Sequence, residues 1–165
     1  MKQAAFYLIV LLSILSVASC SDVVKHDDPF YNVSEAFSME SSRVPLIKPI
    51  EIVNVNGWIL KYPVQIKVVN GEGGKVYRID VEKIDIQNGV IMAYSPKINE
   101  FAGENYYPWV VIVLEQETSK SFETEEEFLQ YIQTLGISSL SWQTPTEALL
   151  LFRETGCFKW IPDCK

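Results

Sequence analysis

The stretch that decides the fold is Trp109-Val110-Val111-Ile112-Val113-Leu114, a run of apolar residues with no polar residue between them. A strand with one face in water alternates apolar and polar residues, and this run shows no such alternation. The run therefore predicts a central strand buried on both faces, with helices or a second layer covering the sheet.

The chain around this strand, from residue 50 to about 117, has the pattern of an antiparallel β-meander. Its clearest turn signals are the pairs Asn56-Gly57, Asn70-Gly71 and Asn88-Gly89. Asn-Gly between apolar runs favours a tight hairpin, because a type I′ turn needs positive φ at both central residues. Pro63 has no N–H group for a ladder, so the segments on its two sides are predicted to be one kinked strand or an edge strand. The predicted strands are 50–55, 58–62, 64–69, 75–87, 90–94 and 106–115.

The longest predicted strand changes its phase near the middle. Ile79 and Val81 are apolar at odd positions, whereas Ile84 and Ile86 are apolar at even positions. Since side chains alternate between the faces of a strand, one inserted residue near Glu82-Lys83 would restore the phase. The sequence therefore predicts a β-bulge or a sharp coil of the sheet at this point.

Two helices are predicted after the sheet. Thr124 and Glu127 form a capping-box pattern, and Gly136 is placed to end the first helix. The second helix begins at Thr144-Pro145-Thr146-Glu147, with Pro at the first helical position, and Gly156 ends it. The predicted fold class is α+β, with an antiparallel meander of about five to seven strands, two C-terminal helices and a disulfide-closed C-terminal loop. The apolar residues of the two helices are Phe128, Ile132 and Leu135 in the first and Ala148, Leu149, Leu151 and Phe152 in the second.

The N-terminal residues carry the marks of a secretory signal peptide. Met1-Lys2 gives a positive start, and residues 4–15 form an apolar run of about 12 residues, short of the roughly 20 that a membrane-spanning helix needs. Small residues then lead to Val17-Ala18-Ser19-Cys20, which resembles the lipobox of bacterial lipoproteins. The resemblance implies cleavage before Cys20 and acylation of this cysteine, which would anchor the chain to a lipid bilayer.

The same resemblance implies a place in the bacterial cell envelope, facing the periplasm or the cell surface. Ser21 stands where Asp would favour retention at the inner membrane, so the outer membrane is the favoured location. The predicted division is a signal peptide at 1–19, a lipidated N-terminus and linker at 20–44, and one α+β domain at 45–165. Phe30 and Tyr31 leave open that part of the linker folds back on the domain.

The chain has three cysteines, and assigning Cys20 to lipid leaves Cys157 and Cys164 as a pair. In an oxidising compartment a disulfide is favoured over two free thiols. The spacing does not match a redox C-x-x-C motif, and with His26 as the single histidine a zinc site is not expected. His26 lies in the predicted linker, which also argues against Ser-His or Cys-His catalysis.

Charge and motifs exclude several classes of function. A formal net charge of −7 disfavours nucleic acid and would steer a basic protein partner towards the chain. There is no G-x-S-x-G motif, and Gly71-Glu72-Gly73-Gly74 lacks the Lys-Ser/Thr of a phosphate loop, so it is predicted to be a hairpin turn. We expect no catalytic residue, no metal and no cofactor.

Candidate binding residues cluster around the long loop 95–105. Glu100 and Glu104 in this loop are the remaining paired carboxylates, a pattern that a glycosidase could use. The loop leads into Tyr106-Tyr107-Pro108-Trp109, and aromatic residues dominate protein interfaces and also stack on sugars. Trp160 in the C-terminal loop is a further candidate. Packing of these aromatic side chains in the core remains the alternative.

The sequence as a whole predicts a membrane-anchored envelope lipoprotein that acts by binding a protein, as an inhibitor or immunity protein does. This function is an analogy from the class of protein and is not carried by a motif. The alternatives are a structural or assembly lipoprotein of an envelope or secretion machine and a protein that binds or cleaves polysaccharide.

Overall fold

The structure is a computed structural model, and it describes residues 23–36, 42–61, 67–69, 78–96, 99–101 and 104–164. Within these ranges no helix is long and apolar enough to span a bilayer. The α-helices are α1 (Glu125–Thr134) and α2 (Pro145–Thr155), and short 3-10 helices span Pro29–Tyr31, Val33–Ala36 and Leu114–Gln116. The strands are β1 (Ser42–Pro45), β2 (Glu51–Asn54), β3 (Trp58–Lys61), β4 (Lys67–Val69), β5 (Arg78–Asp80), β6 (Lys83–Gln87), β7 (Val90–Tyr94), β8 (Asn99–Phe101), β9 (Glu104–Tyr106), β10 (Trp109–Val113) and β11 (Thr118–Phe122).

The described strands form two main sheets and one small ribbon. The first sheet has the order β1-β2-β3-β5, the second has the order β4-β11-β10-β7-β6, and β8 pairs with β9. Every pair is antiparallel except β4 with β11. The predicted α+β class is therefore confirmed, but the strands are more numerous than predicted and are divided between sheets, whereas the sequence predicted a single meander.

Strand β10 lies at the centre of the five-stranded sheet and separates two cores. It pairs with β7 on one side and with β11 on the other, and Val110 to Val113 are all buried. Val110 and Ile112 belong to one core, whereas Val111 and Val113 belong to the other. This confirms the central strand predicted from the unbroken apolar run, because such a strand needs apolar side chains on both faces.

Different elements cover the two faces of this sheet. Helix α1 packs its buried Phe128 and Ile132 against one face. The other face packs against the four-stranded sheet, α2 and the C-terminal residues, with fully buried side chains such as Ile52, Leu60 and Phe152.

The phase change predicted as a bulge is a crossing between the two sheets. β5 ends at Asp80 in the four-stranded sheet, and β6 begins at Lys83 in the five-stranded sheet. The N–H group of Val81 donates to Trp58 O at 2.9 Å, and the next N–H group, of Glu82, donates to Tyr94 O of the other sheet, also at 2.9 Å. The apolar residues on both sides of the crossing enter the same core, so the pattern must shift by one where the chain changes sheets.

Two of the predicted Asn-Gly turns are confirmed. Asn88 and Gly89 have φ of 52° and 75° and join β6 to β7, and Asn56 and Gly57 have φ of 60° and 135° between β2 and β3. The pair Asn70-Gly71, the glycine run that follows it and Pro63 lie outside the described residues. Among the described strands, β4 beyond Pro63 lies at the edge of the five-stranded sheet, which is one of the two predicted alternatives. The other alternative, one kinked strand, is wrong, because β3 is an interior strand of the four-stranded sheet.

Both predicted helices are confirmed at their ends. The Oγ1 atom of Thr124 accepts a hydrogen bond from the N–H group of Glu127, and Thr144 with Glu147 forms the complete reciprocal capping box. The residues that follow the helices, Gly136 and Gly156, have φ of 77° and 70°, a backbone conformation that favours glycine.

Four strands were not predicted: β8 and β9, which form a ribbon almost wholly within the predicted loop 95–105, and β1 and β11. Strand β11 was missed because its inward positions are Ser119 and Ser121, which are buried although their side chains are polar. They pair with Ile112 and Val110 of β10, respectively, so the two serines of β11 lie beside core residues of the central strand. Strand β1 was missed because it begins at Ser42, inside the segment predicted to be a linker, and the folded domain therefore begins before residue 45.

Residues 23–36, which we call the strap, pack on the domain and differ in this respect from the predicted spacer. Tyr31 is buried in the core, and its hydroxyl oxygen accepts a hydrogen bond from the Lys48 N–H group at 3.0 Å. The guanidinium of Arg43 lies 5.1 Å from the centre of the Phe30 ring. At the start of the strap, the N–H group of Val24 donates to Thr155 O at 3.1 Å. Aromatic burial thus holds a segment whose polar residues suggested a flexible coil.

Candidate binding surfaces

The predicted carboxylate pair lies on the ribbon of β8 and β9. The register pairs Glu100 with Asn105 and Phe101 with Glu104, and places Tyr106 at the end of β9. The two acids therefore belong to adjacent pairs of the ribbon register. Their side chains and that of Tyr106 lie outside the described residues, and a role in binding or catalysis stays a prediction.

Tyr107, which follows this ribbon, lines a concavity of about 310 Å³ that we call the Tyr107 pocket. Its lining combines two aromatic side chains with two exposed carboxylates near the start of α1. Nearby, the Nζ atom of Lys120 lies 4.4 Å from the centre of the Tyr131 ring, so aromatic rings beside this pocket already accommodate an ammonium group. The residues that line the pocket are Tyr107, Ser121, Phe122, Glu123 and Glu127.

Trp109, a further candidate, packs against the core beside α1. Its ring centre lies 5.2 Å from that of Phe128 in a stacked arrangement, 4.5 Å from that of Tyr94 and 6.1 Å from that of Trp142. Its principal contacts are therefore those of core packing, the alternative that the sequence left open for this residue.

Trp160 lies in the C-terminal loop, residues 157–164, which we call the flap. Its ring stacks on Phe158 with centres 4.3 Å apart, and Phe158 stacks on Phe152 of α2 at 5.3 Å. Phe158 and Trp160 line a concavity of about 490 Å³, which we call the flap groove. The groove is lined by Gln143, Leu151, Thr155, Cys157, Phe158, Lys159, Trp160 and Cys164.

The predicted disulfide between Cys157 and Cys164 is confirmed and closes the flap. His26 of the strap lies beside it, with Nε2 3.8 Å from Cys164 Sγ and donating to Gly156 O at 2.7 Å. The three side chains bring ligand-type atoms within 4.8 Å of one another. Because the two sulfurs are bonded to each other, neither is a thiolate that could bind a metal.

Asp85 on β6 is a structural site that sequence reasoning missed. Its carboxylate is buried, and Oδ2 accepts hydrogen bonds from the Ser141 N–H group and from Gln87 Nε2, both at 2.7 Å. Within the described part of the chain Oδ1 has no hydrogen-bond partner, and Lys159 Nζ lies 3.8 Å away. Asp85 thus holds Ser141, in the segment between the two helices, against the edge strand β6. The signal in the sequence that could have revealed this buried acid was its position between the apolar residues Ile84 and Ile86.

Two carboxylates with shifted pKa values hold local structure outside the concavities. The ammonium of Lys48 and the N–H group of Phe30 lower the pKa of Asp28 from its ordinary value of 3.8. The N–H group and hydroxyl of Thr144 lower the pKa of Glu147 from its ordinary value of 4.5. Asp28 thus stabilises the start of the 3-10 helix Pro29–Tyr31 in the strap, and Glu147 stabilises the first turn of α2.

No protein-family model, curated protein or solved structure matches this chain.

Proposed function

We propose that the chain is a membrane-anchored bacterial envelope lipoprotein that acts by binding a protein, as an inhibitor or immunity protein does. The sequence up to Cys20 supports the anchor, and the confirmed disulfide is consistent with an oxidising compartment. The observation that carries the binding role is the Tyr107 pocket, whose lining combines aromatic rings with exposed carboxylates.

The pocket fits a basic side chain of a partner. An arginine or lysine could lay its aliphatic stem and charged group on the Tyr107 ring and direct its N–H donors to Glu123 or Glu127. The net charge of −7 would steer a basic protein towards this surface, and the ribbon of β8 and β9 ends at the adjacent residue.

The test compares the wild-type domain with variants in quantitative capture of envelope proteins. We expect Tyr107→Ala, and separately Glu123→Gln with Glu127→Gln, to weaken binding of the captured partner at least about tenfold, which is about 1.4 kcal/mol. The matched control is Glu115→Gln with Glu154→Gln, which removes the same charge from exposed positions outside the pocket.

Two results would contradict the proposal. The first is that the control double variant weakens binding as much as the pocket double variant, which would mean that net charge alone attracts the partner. The second is that the wild-type domain captures no partner and its expression protects cells from no toxin.

A further inference from the structure

The strap brings the start of the described chain to one end of α2. The N–H group of Val24 donates to Thr155 O at 3.1 Å, and His26 Nε2 donates to Gly156 O at 2.7 Å. An added Cβ at Gly156 would lie 2.9 Å from Val23 Cγ1, so the two segments are in close contact. We call this region, formed by Val23, Val24, His26, Thr155 and Gly156, the strap joint.

The distance from the strap joint to the proposed anchor is short. Cys20 precedes Val23 by three residues, which span at most about 10 Å even when fully extended. A flexible coil of about 24 residues would instead have reached roughly 25 Å. An acylated Cys20 therefore holds the strap joint close to the bilayer surface, and the domain cannot stand off from it.

Apolar side chains are exposed in the strap joint and in the middle of α2. The large apolar side chains exposed in the described ranges include Val23 and Val24, which are 40% and 39% exposed, and Leu150 and Leu151, which are 56% and 43% exposed. Val55, in the turn between β2 and β3, is the remaining residue of this kind in those ranges, and Leu151 is the one that shares the flap groove with Thr155. Apolar surface is thus left uncovered where the chain runs towards its anchor.

The flap groove continues this surface. Leu151 lies one helical turn before Thr155, and both residues line the groove together with Trp160. Trp160 is half-buried, and its indole N–H group donates to Pro45 O at 3.5 Å, so what it offers to the interface between lipid and water is partly exposed aromatic surface.

The charges at this end favour neutral lipid over anionic lipid. Lys25 and Lys159 are exposed, but so are Asp27 and Glu154, so both signs are present. With a net charge of −7 for the whole chain, electrostatic attraction to an anionic bilayer would be weak or repulsive. Contact between apolar side chains and the bilayer is therefore the remaining source of attraction.

We propose that the acylated protein docks on a zwitterionic bilayer surface through the strap joint and the mouth of the flap groove. Val23, Val24, Leu151 and Trp160 contact the headgroup region, and the short connection to Cys20 fixes this orientation. The inference rests on the acylation of Cys20 in the proposed function.

The test uses the acylated full-length mature protein in phosphatidylcholine vesicles, with and without bromine atoms on the lipid chains near the headgroups. Bromine quenches tryptophan emission on close approach. We expect brominated vesicles to lower the emission of the wild type, and Trp160→Phe to remove at least about half of that loss. Trp58→Phe is the matched control, because Trp58 is also half-buried but donates to Thr146 in the first turn of α2, at the other end of this helix.

A second measurement needs no substitution. An amine-reactive reagent is added to the wild-type protein in vesicles and in detergent, and the modified lysines are quantified by mass spectrometry. We expect Lys25 to react at least about threefold more slowly in vesicles, whereas Lys120, on the face of the sheet that packs against α1, reacts equally in both.

The outcomes separate the docking from the anchor. An N-terminal peptide with unmodified Cys20 overturns both the proposed lipoprotein and the docking. An acylated Cys20 with equal bromine quenching in the wild type and Trp160→Phe, and with equal labelling of Lys25 in vesicles and detergent, overturns the docking alone.

Discussion

Gly156→Ala tests whether the strap is part of the folded domain. Gly156 has φ of 70°, so any other residue there pays about 1 kcal/mol for the left-handed conformation. The new Cβ would also lie 2.6 Å from Val24 O and 3.0 Å from Val24 N, and backbone atoms cannot rotate away. The strap must therefore shift.

The cost of that shift follows from the hydrogen bonds at the strap joint. Moving the strap breaks the bond from Val24 N to Thr155 O and the bond from His26 Nε2 to Gly156 O. At about 1 kcal/mol each, they add about 2 kcal/mol to the conformational cost. We expect Gly156→Ala to lower the free energy of unfolding by about 3 kcal/mol.

Gly136→Ala is the matched control, because Gly136 has φ of 77° at the end of α1 and no atom within 4 Å of an added Cβ. Gly136→Ala should lower the free energy of unfolding by only about 1 kcal/mol, which is the cost of the left-handed backbone conformation alone. Both variants are made in the chain that begins at residue 20, with Cys20→Ser, and are unfolded in urea. Limited proteolysis should cut the strap faster in Gly156→Ala than in Gly136→Ala.

Equal destabilisation by the two alanine substitutions would refute the reasoning. It would mean that the strap does not contact Gly156 in solution, and the docking proposed above would lose its fixed connection to the anchor.

The remaining predictions concern the flap, the sheet edge and the start of α2. Replacing Cys157 and Cys164 by Ser should lower the free energy of unfolding by about 2.5 kcal/mol, the loop-closure entropy of so short a loop, as measured by urea unfolding of both proteins. Asp85→Ala should lower the free energy of unfolding by about 2–3 kcal/mol, because it removes a charged acceptor of hydrogen bonds from the Ser141 N–H group and Gln87 Nε2. Lys159→Ala should lower it by less than about 1 kcal/mol, because Lys159 is largely exposed, and similar losses in the two variants would show that the ion pair dominates. The pKa of Glu147 is lower in the folded chain than its ordinary value of 4.5, so its contribution is complete above that pH and is lost as the pH falls through the folded pKa. Stability measured from pH 6 down to pH 3 should therefore fall more steeply in the wild type than in Glu147→Gln, and parallel curves would contradict this assignment.

Local signals in the sequence predicted local structure well. Thr124, Thr144, Gly136 and Gly156 mark the ends of the two helices because capping and positive φ depend on a few neighbouring residues. The Asn-Gly turn at residues 88–89 follows for the same reason. Alternation of side chains likewise detected a change at residues 81–83, although it could not tell a bulge from a crossing between sheets.

The binding surfaces were predicted less completely. Tyr107 and Trp160 line concavities, but the sequence assigned Glu127 to a helix start and Leu151 to a helix face. Their contribution depends on which strands and helices are neighbours in space, and one sequence contains no direct record of such pairings.

By itself, the sequence determined the α+β class, the central strand at residues 109–113, both helices and the pairing of Cys157 with Cys164. These features follow from apolar patterns, capping residues and a count of cysteines, all of which act over a few residues. The tertiary structure alone decided that the chain crosses between two sheets after Asp80, that Asp85 is buried, and that the strap packs against Gly156. These features depend on contacts between residues that are distant in the chain, whose free energy is gained only when the whole core assembles.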